Sequence, residues 1–304
     1  MTAIAAPLRR RRSLVPRWIM AWPALAWWTF FFVIPLAWII VYSFGTVPAD
    51  NAAGPVALDT LSLDNYGESL SEIFFRVFGI TIRTAGMGTI LCALLGFPAA
   101  YALALHVPSR WRSLLVFLLI LPYWTSFLLR TFAWRIILAP DGTLAHILKG
   151  GGLISGPLLM LDTNAAVQLG IVYNYLPVMI LPIYVALEKI DPSLLRASMD
   201  LGAGPVRTFF AVTLPLSTPG LFGGLLLSFI LAAGDYVVPT ILGGTKGLMV
   251  GNLVATQTLA SHNLPLGAAM AVLLIVLLSL IVLAAGVVFW VARATTRYFK
   301  GPAL

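Results

Sequence analysis

Long apolar runs separated by short polar segments fill the chain from residue 22 to about residue 291. Six runs are long enough, or nearly so, for a helix that crosses the hydrocarbon core of a bilayer, which takes about 20 residues. They cover residues 22–44, 78–105, 113–129, 165–187, 215–239 and 265–291. Transmembrane strands would alternate polar and apolar residues in segments of about ten, and these runs do not alternate. The pattern predicts an all-α integral membrane protein with six transmembrane helices.

Two charged residues lie inside the six runs, Arg83 in the second and Asp235 in the fifth. A charge inside a bilayer is costly and usually faces a cavity or a partner. Asp235 follows Pro215 by about 20 residues, which is about 30 Å of straight helix, so we expect it near the outer end of its span. Gly234 and Pro239 predict a broken helix there, a form tolerated where backbone lines a cavity.

Composition supports a membrane protein and excludes other classes. Of the 304 residues, 60% are hydrophobic and 10% are charged, and the mean hydropathy is +0.96. Soluble domains contain about 45–50% apolar and about 25% charged residues, so a water-soluble globule is excluded. The low charge also excludes a disordered chain. The single cysteine, Cys92, excludes an intramolecular disulfide framework and a Cys-rich metal site.

The positions of Lys and Arg predict the orientation of the chain. Thirteen of the 19 basic residues fall on one side: Arg9, Arg10, Arg11, Arg12, Arg17, Arg110, Arg112, Lys189, Arg196, Arg207, Arg293, Arg297 and Lys300. The first loop on the other side, residues 45–75, contains five acidic residues, Asp50 among them, and no basic one. Both termini are therefore expected in the cytoplasm. The basic start also fits a signal peptide, but the apolar part is long for one, and we favour a retained first helix.

The loop after the fourth span has the signals of a short helix with defined ends. Asp191 is a suitable N-cap, and Pro192 occupies the first helical position, where its missing N–H costs nothing. Gly202 stands where a helix ends in a left-handed residue. Residues 206–213 are expected to form a second short helix before the fifth span begins. Such an element docks into another protein or rests on lipid headgroups, and spacing alone favours neither.

This loop resembles the cytoplasmic signature loop of ATP-binding-cassette (ABC) importer permeases: Glu-Ala-Ala, three residues, Gly, nine residues, Ile, one residue, Leu-Pro. Its matching positions here are Ala197, Gly202, Val212 in place of the isoleucine, and Leu214-Pro215. Arg196 replaces the usual Glu and reverses its charge, and Ser198 replaces the second Ala. Residues 121–131, 186–192, 234–239 and 242–244 are similar to the spermidine/putrescine permease subunits of the same superfamily.

The resemblance implies a type I ABC importer permease fold with a cytoplasmic coupling helix. Residues 1–76 would hold the basic tail, the first span and an external loop, residues 77–292 a five-helix core, and residues 293–304 a cytoplasmic tail. It also implies a non-catalytic subunit in the bacterial inner membrane, with no cofactor of its own. The implied partners are a second, related but different permease chain, two ATPase subunits that bind ATP and Mg, and an external solute-binding protein.

The same resemblance implies which residues couple the chain to an ATPase, since the first helix of the loop would sit in a cleft of that partner. The implied coupling residues are Asp191, Pro192, Arg196, Ala197, Ser198, Asp200, Gly202, Leu214 and Pro215.

A polyamine is a chain of ammonium groups, which carboxylates and aromatic faces attract. Asp235 and Tyr236 are the first candidates for the translocation pathway, and Tyr123, Trp124, Tyr173 and Tyr175 are weaker ones. Alternatively, Asp235 caps a helix or pairs with Arg83, and the aromatic residues pack or form interface belts. Arg130 and Arg135 are expected to reach the outer headgroups.

Other functions stay open at this point. Another small solute, such as an opine, thiamine or ferric iron, fits the same class of permease. An ion-coupled carrier or channel would need several intramembrane ionisable groups, of which the spans supply two. No G-x-x-x-x-G-K-[ST], H-E-x-x-H or G-x-S-x-G motif occurs, so energy must come from another chain or from an ion gradient.

Overall fold

The computed structural model describes residues 17–48, 56–244 and 247–299, and the side chains of residues 17–20 and 296–299 are not described. The predicted basic residues Arg9, Arg10, Arg11, Arg12 and Lys300, and the acidic Asp50, lie outside the described residues. The regular elements of the described ranges are helices, apart from one isolated bridge between Thr46 and Ala57. The predicted all-α architecture is confirmed.

The helices follow one another as α1 (Ala21–Tyr42), α2 (Asp64–Ser69), α3 (Glu72–His106), α4 (Ser109–Trp124), α5 (Phe127–Ile137), α6 (Thr143–Gly150), α7 (Asn164–Glu188), α8 (Pro192–Asp200), α9 (Pro205–Gly234), α10 (Val237–Leu242), α11 (Val250–Ala255) and α12 (Leu264–Phe299). Within the described ranges, α1, α3, α7, α9 and α12 are each long and apolar enough to cross a membrane. A sixth crossing exists when α4 and α5 are taken as one bent span.

The third predicted span is not the straight helix expected, because α4 and α5 meet at 88°. The helix tightens into a 3₁₀ turn over Leu121–Trp124 and ends in extended backbone at Thr125. Pro122 lacks an N–H and cannot continue the regular hydrogen-bond pattern. Two side chains, Thr125 Oγ1 at 2.7 Å and Arg130 Nη1 at 2.5 Å, donate to the Pro122 carbonyl instead. Helix α5 continues the span past Arg130 to Ile137, but at 88° to α4.

The separate short helix predicted for residues 206–213 is also wrong. Helix α9 runs without interruption from Pro205 to Gly234. A wider π-helical turn, Phe209–Thr213, lies directly before Leu214 and Pro215. A turn of this kind accommodates a proline inside a helix by relaxing the regular hydrogen-bond ladder. The break predicted within the fifth span is confirmed, since α9 stops at Gly234 and α10 begins at Val237.

The core lies where α3, α7 and α9 pack on one another. Helices α7 and α9 approach closely: a Cβ at Gly220 would collide with the Pro182 carbonyl oxygen, and one at Gly224 would lie 3.0 Å from the Met179 carbonyl oxygen. Small residues allow transmembrane helices to pack this tightly. Helix α1, by contrast, exposes its aromatic side chains and buries none of its apolar window inside the chain.

Candidate functional site

Helix α8 begins as the sequence predicts. Asp191 has extended backbone, and its Oδ1 accepts a hydrogen bond of 2.8 Å from the Ser193 N–H. Pro192 follows as the first helical residue. The Ser193 N–H, together with the nearby Arg196 charge, lowers the pKa of the Asp191 carboxyl. The start of α8 is therefore fixed by a charged cap.

The end of α8 is a complete Schellman motif. Gly202 has a left-handed backbone with φ of +83°. Its N–H donates to the Met199 carbonyl at 2.9 Å, and the Ala203 N–H donates to the Ser198 carbonyl at 3.1 Å. This pair of bonds satisfies carbonyls that a helix end leaves without partners. The predicted left-handed residue at Gly202 is confirmed.

A side-chain hydrogen bond fixes the angle between α8 and α9. Ser198 Oγ lies 3.1 Å from Thr208 Oγ1, and Thr208 is buried. The bend at Gly202 is thus held on both sides, by backbone bonds at the end of α8 and by this contact to the first turn of α9. Leu214 and Pro215 lie inside α9, directly after its π-helical turn, and so belong to the stem rather than to α8.

The surface of α8 and of the first turn of α9 includes several apolar side chains. Its exposed apolar side chains are Leu194, Met199, Leu201 and Val206. Leu201 is 89% exposed and Val206 is 73% exposed. Arg196, Ala197 and Asp200 are exposed on the same helix. A rigid helix with this mixture presents a surface on which another protein can dock.

The second candidate region surrounds Asp235, between α9 and α10. Asp235 is only 7% exposed. Its Oδ1 accepts hydrogen bonds from the N–H groups of Val237 at 2.8 Å and Val238 at 3.2 Å, so Asp235 caps α10. Its Oδ2 accepts a hydrogen bond of 3.0 Å from the Tyr175 hydroxyl on α7. Of the two alternatives considered for this carboxylate, the helix cap is confirmed.

The other alternative, an ion pair between Asp235 and Arg83, is absent from the described part of the chain. Arg83 instead lines an open cavity of about 650 Å³ between α3 and α7, with Asn164 and Gln168 nearby. No basic side chain of the described residues pairs with Asp235.

A second cluster forms at the bend between α4 and α5. The Tyr123 hydroxyl donates to the Asn174 carbonyl on α7. The Arg130 guanidinium lies over the Tyr123 ring, 4.8 Å from its centroid. Asn174 is 2% exposed, and its Oδ1 has no partner among the described residues. In the sequence Asn174 stands between Tyr173 and Tyr175, two of the weaker pathway candidates, and a buried amide in a span is itself a signal of a polar site.

Arg130 and Arg135, which were expected to reach the headgroups, each donate a hydrogen bond to a backbone carbonyl. Arg130 donates to the Pro122 carbonyl, and Arg135 Nη1 donates to the Ile241 carbonyl near the end of α10 at 2.6 Å. Helix breaks leave carbonyls without partners, and in a bilayer these must be satisfied inside the protein. The two arginines therefore stabilise the broken helices.

The remaining candidates are not part of either cluster. Trp124 is 73% exposed and meets Phe117 edge to face. Tyr173 packs edge to face against Trp134, with 5.3 Å between ring centroids. Tyr236 lines a separate open cavity of about 320 Å³.

A sequence model of the family described as "Binding-protein-dependent transport system inner membrane component" matches residues 1–297. Among similar proteins, "Spermidine/putrescine transport system permease protein PotB" of Haemophilus influenzae is 38% identical over 84% of this chain and 88% of the relative. The protein of the same name from Escherichia coli (strain K12) is 37% identical over 88% of this chain and 94% of the relative.

Two solved structures have a similar fold. One is a chain of a bacterial ABC transporter involved in the import of the acidic polysaccharide alginate, with a TM-score of 0.74, 16% identity, and coverage of 92% of this chain and 96% of that chain. Another is a chain of the MetNI methionine ABC transporter in an inward-facing conformation, with a TM-score of 0.53, 20% identity, and coverage of 75% and 100%. At these identities the likeness shows the fold alone.

Proposed function

The chain belongs to the family of binding-protein-dependent transport system inner membrane components, and from this premise we propose that it is the polyamine-translocating permease of an ATP-driven importer. It is a multi-pass protein of the inner membrane. Relatives named as spermidine/putrescine permeases cover most of its length. The observation that carries the proposal is α8, a short helix with both ends fixed and an exposed apolar surface.

We propose that α8 docks into a cleft of a cytoplasmic ATPase, of which the complex has two. The residues that would contact it or shape it are Asp191, Pro192, Arg196, Ala197, Ser198, Asp200 and Gly202, with Leu214 and Pro215 in the stem of α9. Helix α8 can pass a movement of the ATPase to α9 only when the angle between the two helices is fixed. The Schellman motif and the Ser198–Thr208 contact fix that angle. ATP and Mg would bind to the ATPases, and this chain would contribute no catalytic group.

The other proposed partners are a second permease, related to this chain but different from it, and an external solute-binding protein. Both termini would face the cytoplasm, because the basic residues concentrate on the side of α8.

Asp235 is the leading candidate for contact with a polyamine on its path. Its carboxylate receives hydrogen bonds only from neutral donors, namely Val237, Val238 and Tyr175. The described residues provide no cation to compensate its charge, so it attracts a passing ammonium group. Tyr236 supplies an aromatic face. Tyr123, whose ring lies under the Arg130 guanidinium, completes the proposed set with Trp124, Tyr173 and Tyr175.

The test is purification of the complex from its native host in mild detergent, with photo-cross-linkers at Ala197 and Asp200. We expect both positions to capture a nucleotide-hydrolysing chain, and spermidine or putrescine with the binding protein to stimulate ATP hydrolysis. A cross-linker at Leu153, exposed in the loop after α6, is the matched control and should not capture that chain. If neither position on α8 captures that chain, the proposed coupling role is wrong. If neither spermidine nor putrescine changes the rate of ATP hydrolysis, the proposed polyamine substrate is wrong.

A further inference from the structure

The base of α8 is held to another helix by a cluster of three side chains. Arg112, near the start of α4, places Nη1 3.6 Å from Glu188 Oε1 at the end of α7. The Tyr184 hydroxyl donates to the same Glu188 oxygen at 2.7 Å. Arg112 Nη2 also donates to the Val107 carbonyl, just after α3, at 3.3 Å. We call Arg112, Glu188 and Tyr184 the clamp.

The position of the clamp matters more than its strength. The side chains of Arg112 and Glu188 are 25% and 45% exposed, and ion pairs this exposed add little to stability. Glu188 is the last residue of α7, however, and Asp191, the cap of α8, follows within one turn. A displacement of α8 therefore acts on Glu188, and through it on Arg112 and α4, in addition to its direct link to α9 through Ser198 and Thr208.

Helix α4 leads from the clamp to the candidate pathway. Its 16 residues, with the last four in a 3₁₀ turn, extend for about 24 Å or slightly more. At its far end, Tyr123 donates to the Asn174 carbonyl and lies under the Arg130 guanidinium. A single rigid helix thus joins the base of α8 to the bend beside α7. Rigid helices of this kind carry coupling between distant sites.

We propose that the clamp is a positioning device that passes the movement of α8 through α4 to the bend of the third span. Arg112, Glu188 and Tyr184 act through α4 and touch neither the solute nor the nucleotide. This inference rests on the proposed function, since it assigns a route to the coupling that α8 begins.

Charge reversal tests the clamp in the intact complex, reconstituted in vesicles with its ATPases and binding protein. We expect Arg112→Glu and Glu188→Arg each to lower the spermidine transported per ATP about fivefold, the factor that corresponds to about 1 kcal/mol. The double variant that exchanges both charges should recover most of that loss. Tyr184→Phe, which removes one hydrogen bond, should have a smaller effect.

Arg110→Glu is the matched control. Arg110 lies on the same turn of α4, is exposed, forms no ion pair among the described residues, and lies over the Trp111 ring, 6.0 Å from its centroid. This reversal changes the local charge equally and should leave transport per ATP unchanged. An equal loss in Arg110→Glu, or a double variant no better than the single ones, overturns the clamp as a specific contact.

A second measurement is independent of transport. Spin labels at the exposed positions Ser113 and Ser193, with Cys92 replaced by alanine, report the distance between α4 and α8 and leave the proposed coupling residues unchanged. The distance distribution should be narrow with the native clamp, broad in each single reversal and narrow again in the double variant. Unchanged distributions overturn the inference even when the complex transports polyamines. If the distance distributions broaden in the single reversals and narrow in the double variant, but polyamines do not stimulate ATP hydrolysis, the proposed function is wrong and the clamp is still supported.

Discussion

Replacement of Gly202 separates the effect of backbone conformation from that of side-chain size. Gly202 has φ of +83°, and a Cβ built there meets no atom within 4 Å. A larger side chain at this position is therefore opposed by the left-handed backbone and not by crowding. That conformation costs an ordinary L-residue about 1–2 kcal/mol, whereas asparagine adopts it more readily. A β-branched residue is disfavoured most strongly there.

The cost acts on the bend between α8 and α9. A residue that leaves the left-handed region breaks the bonds from Gly202 and Ala203 to the end of α8. A cost of about 1–2 kcal/mol lowers the ratio of bent to unbent α8 by a factor of about 5–30. Gly202→Val should therefore insert and assemble normally but hydrolyse ATP with little uptake.

The assay is polyamine uptake against ATP hydrolysis in vesicles that contain the assembled complex. The amount of polyamine taken up per ATP hydrolysed should fall in the order Gly, Asn, Ala, Val at position 202, with the Asn variant close to the native chain. If Gly202→Val takes up as much polyamine per ATP as the native chain, the left-handed backbone at this position is not needed for coupling. Equal damage by Asn and Val also refutes the reasoning, because the backbone would then not be the cause.

Three further predictions concern the core, the pathway and the cap of α8. Gly220→Ala should destabilise the protein by about 1–3 kcal/mol through overpacking against Pro182, seen as a lower Tm. Asp235→Asn keeps an acceptor for α10 but removes the charge, so polyamine uptake at low concentration should fall. The folded-state pKa of Asp191 is lowered, so its cap stabilises α8 above about pH 4, near the unfolded value, and is lost as pH falls through the folded value. Spin-label mobility on α8 should rise in that acidic range.

Each of these predictions has its own control. Gly223→Ala lies on the same helix with nothing within 4 Å of its Cβ, and an equal fall in Tm there would contradict close packing as the cause. Normal uptake by Asp235→Asn would remove this carboxylate from the pathway. An Asp191→Asn variant should lose the acid response, and a response that persists would trace to another group.

The sequence predicted those features that depend on local chemistry. Apolar runs marked the crossings made by α1, α3, α7, α9 and α12, because the bilayer imposes a minimum length on each. The ends of α8 were also predictable, since Asp191, Pro192 and Gly202 act within one turn of their own positions.

The sequence could not show features that depend on a distant partner. The third span looks uniformly apolar, and one contact that holds its bend at Pro122 joins Tyr123 to the carbonyl of Asn174, 51 positions away in the sequence. Prolines alone do not mark such a break, since α7 contains Pro177 and Pro182 and continues as a helix. The Arg135 contact with the Ile241 carbonyl spans 106 positions in sequence, beyond the reach of any local pattern.

The bend of the third span also bears on how the protein is made. A chain synthesised from its N-terminus delivers α4 and α5 to the bilayer before Asn174 and Ile241 exist. Until the ribosome has added α7 and α10, Tyr123 lacks its acceptor and Arg135 has no carbonyl to bind. Two of the contacts of the third crossing can therefore form only after α7 and α10 have been made, so its full set of partners is completed late in synthesis.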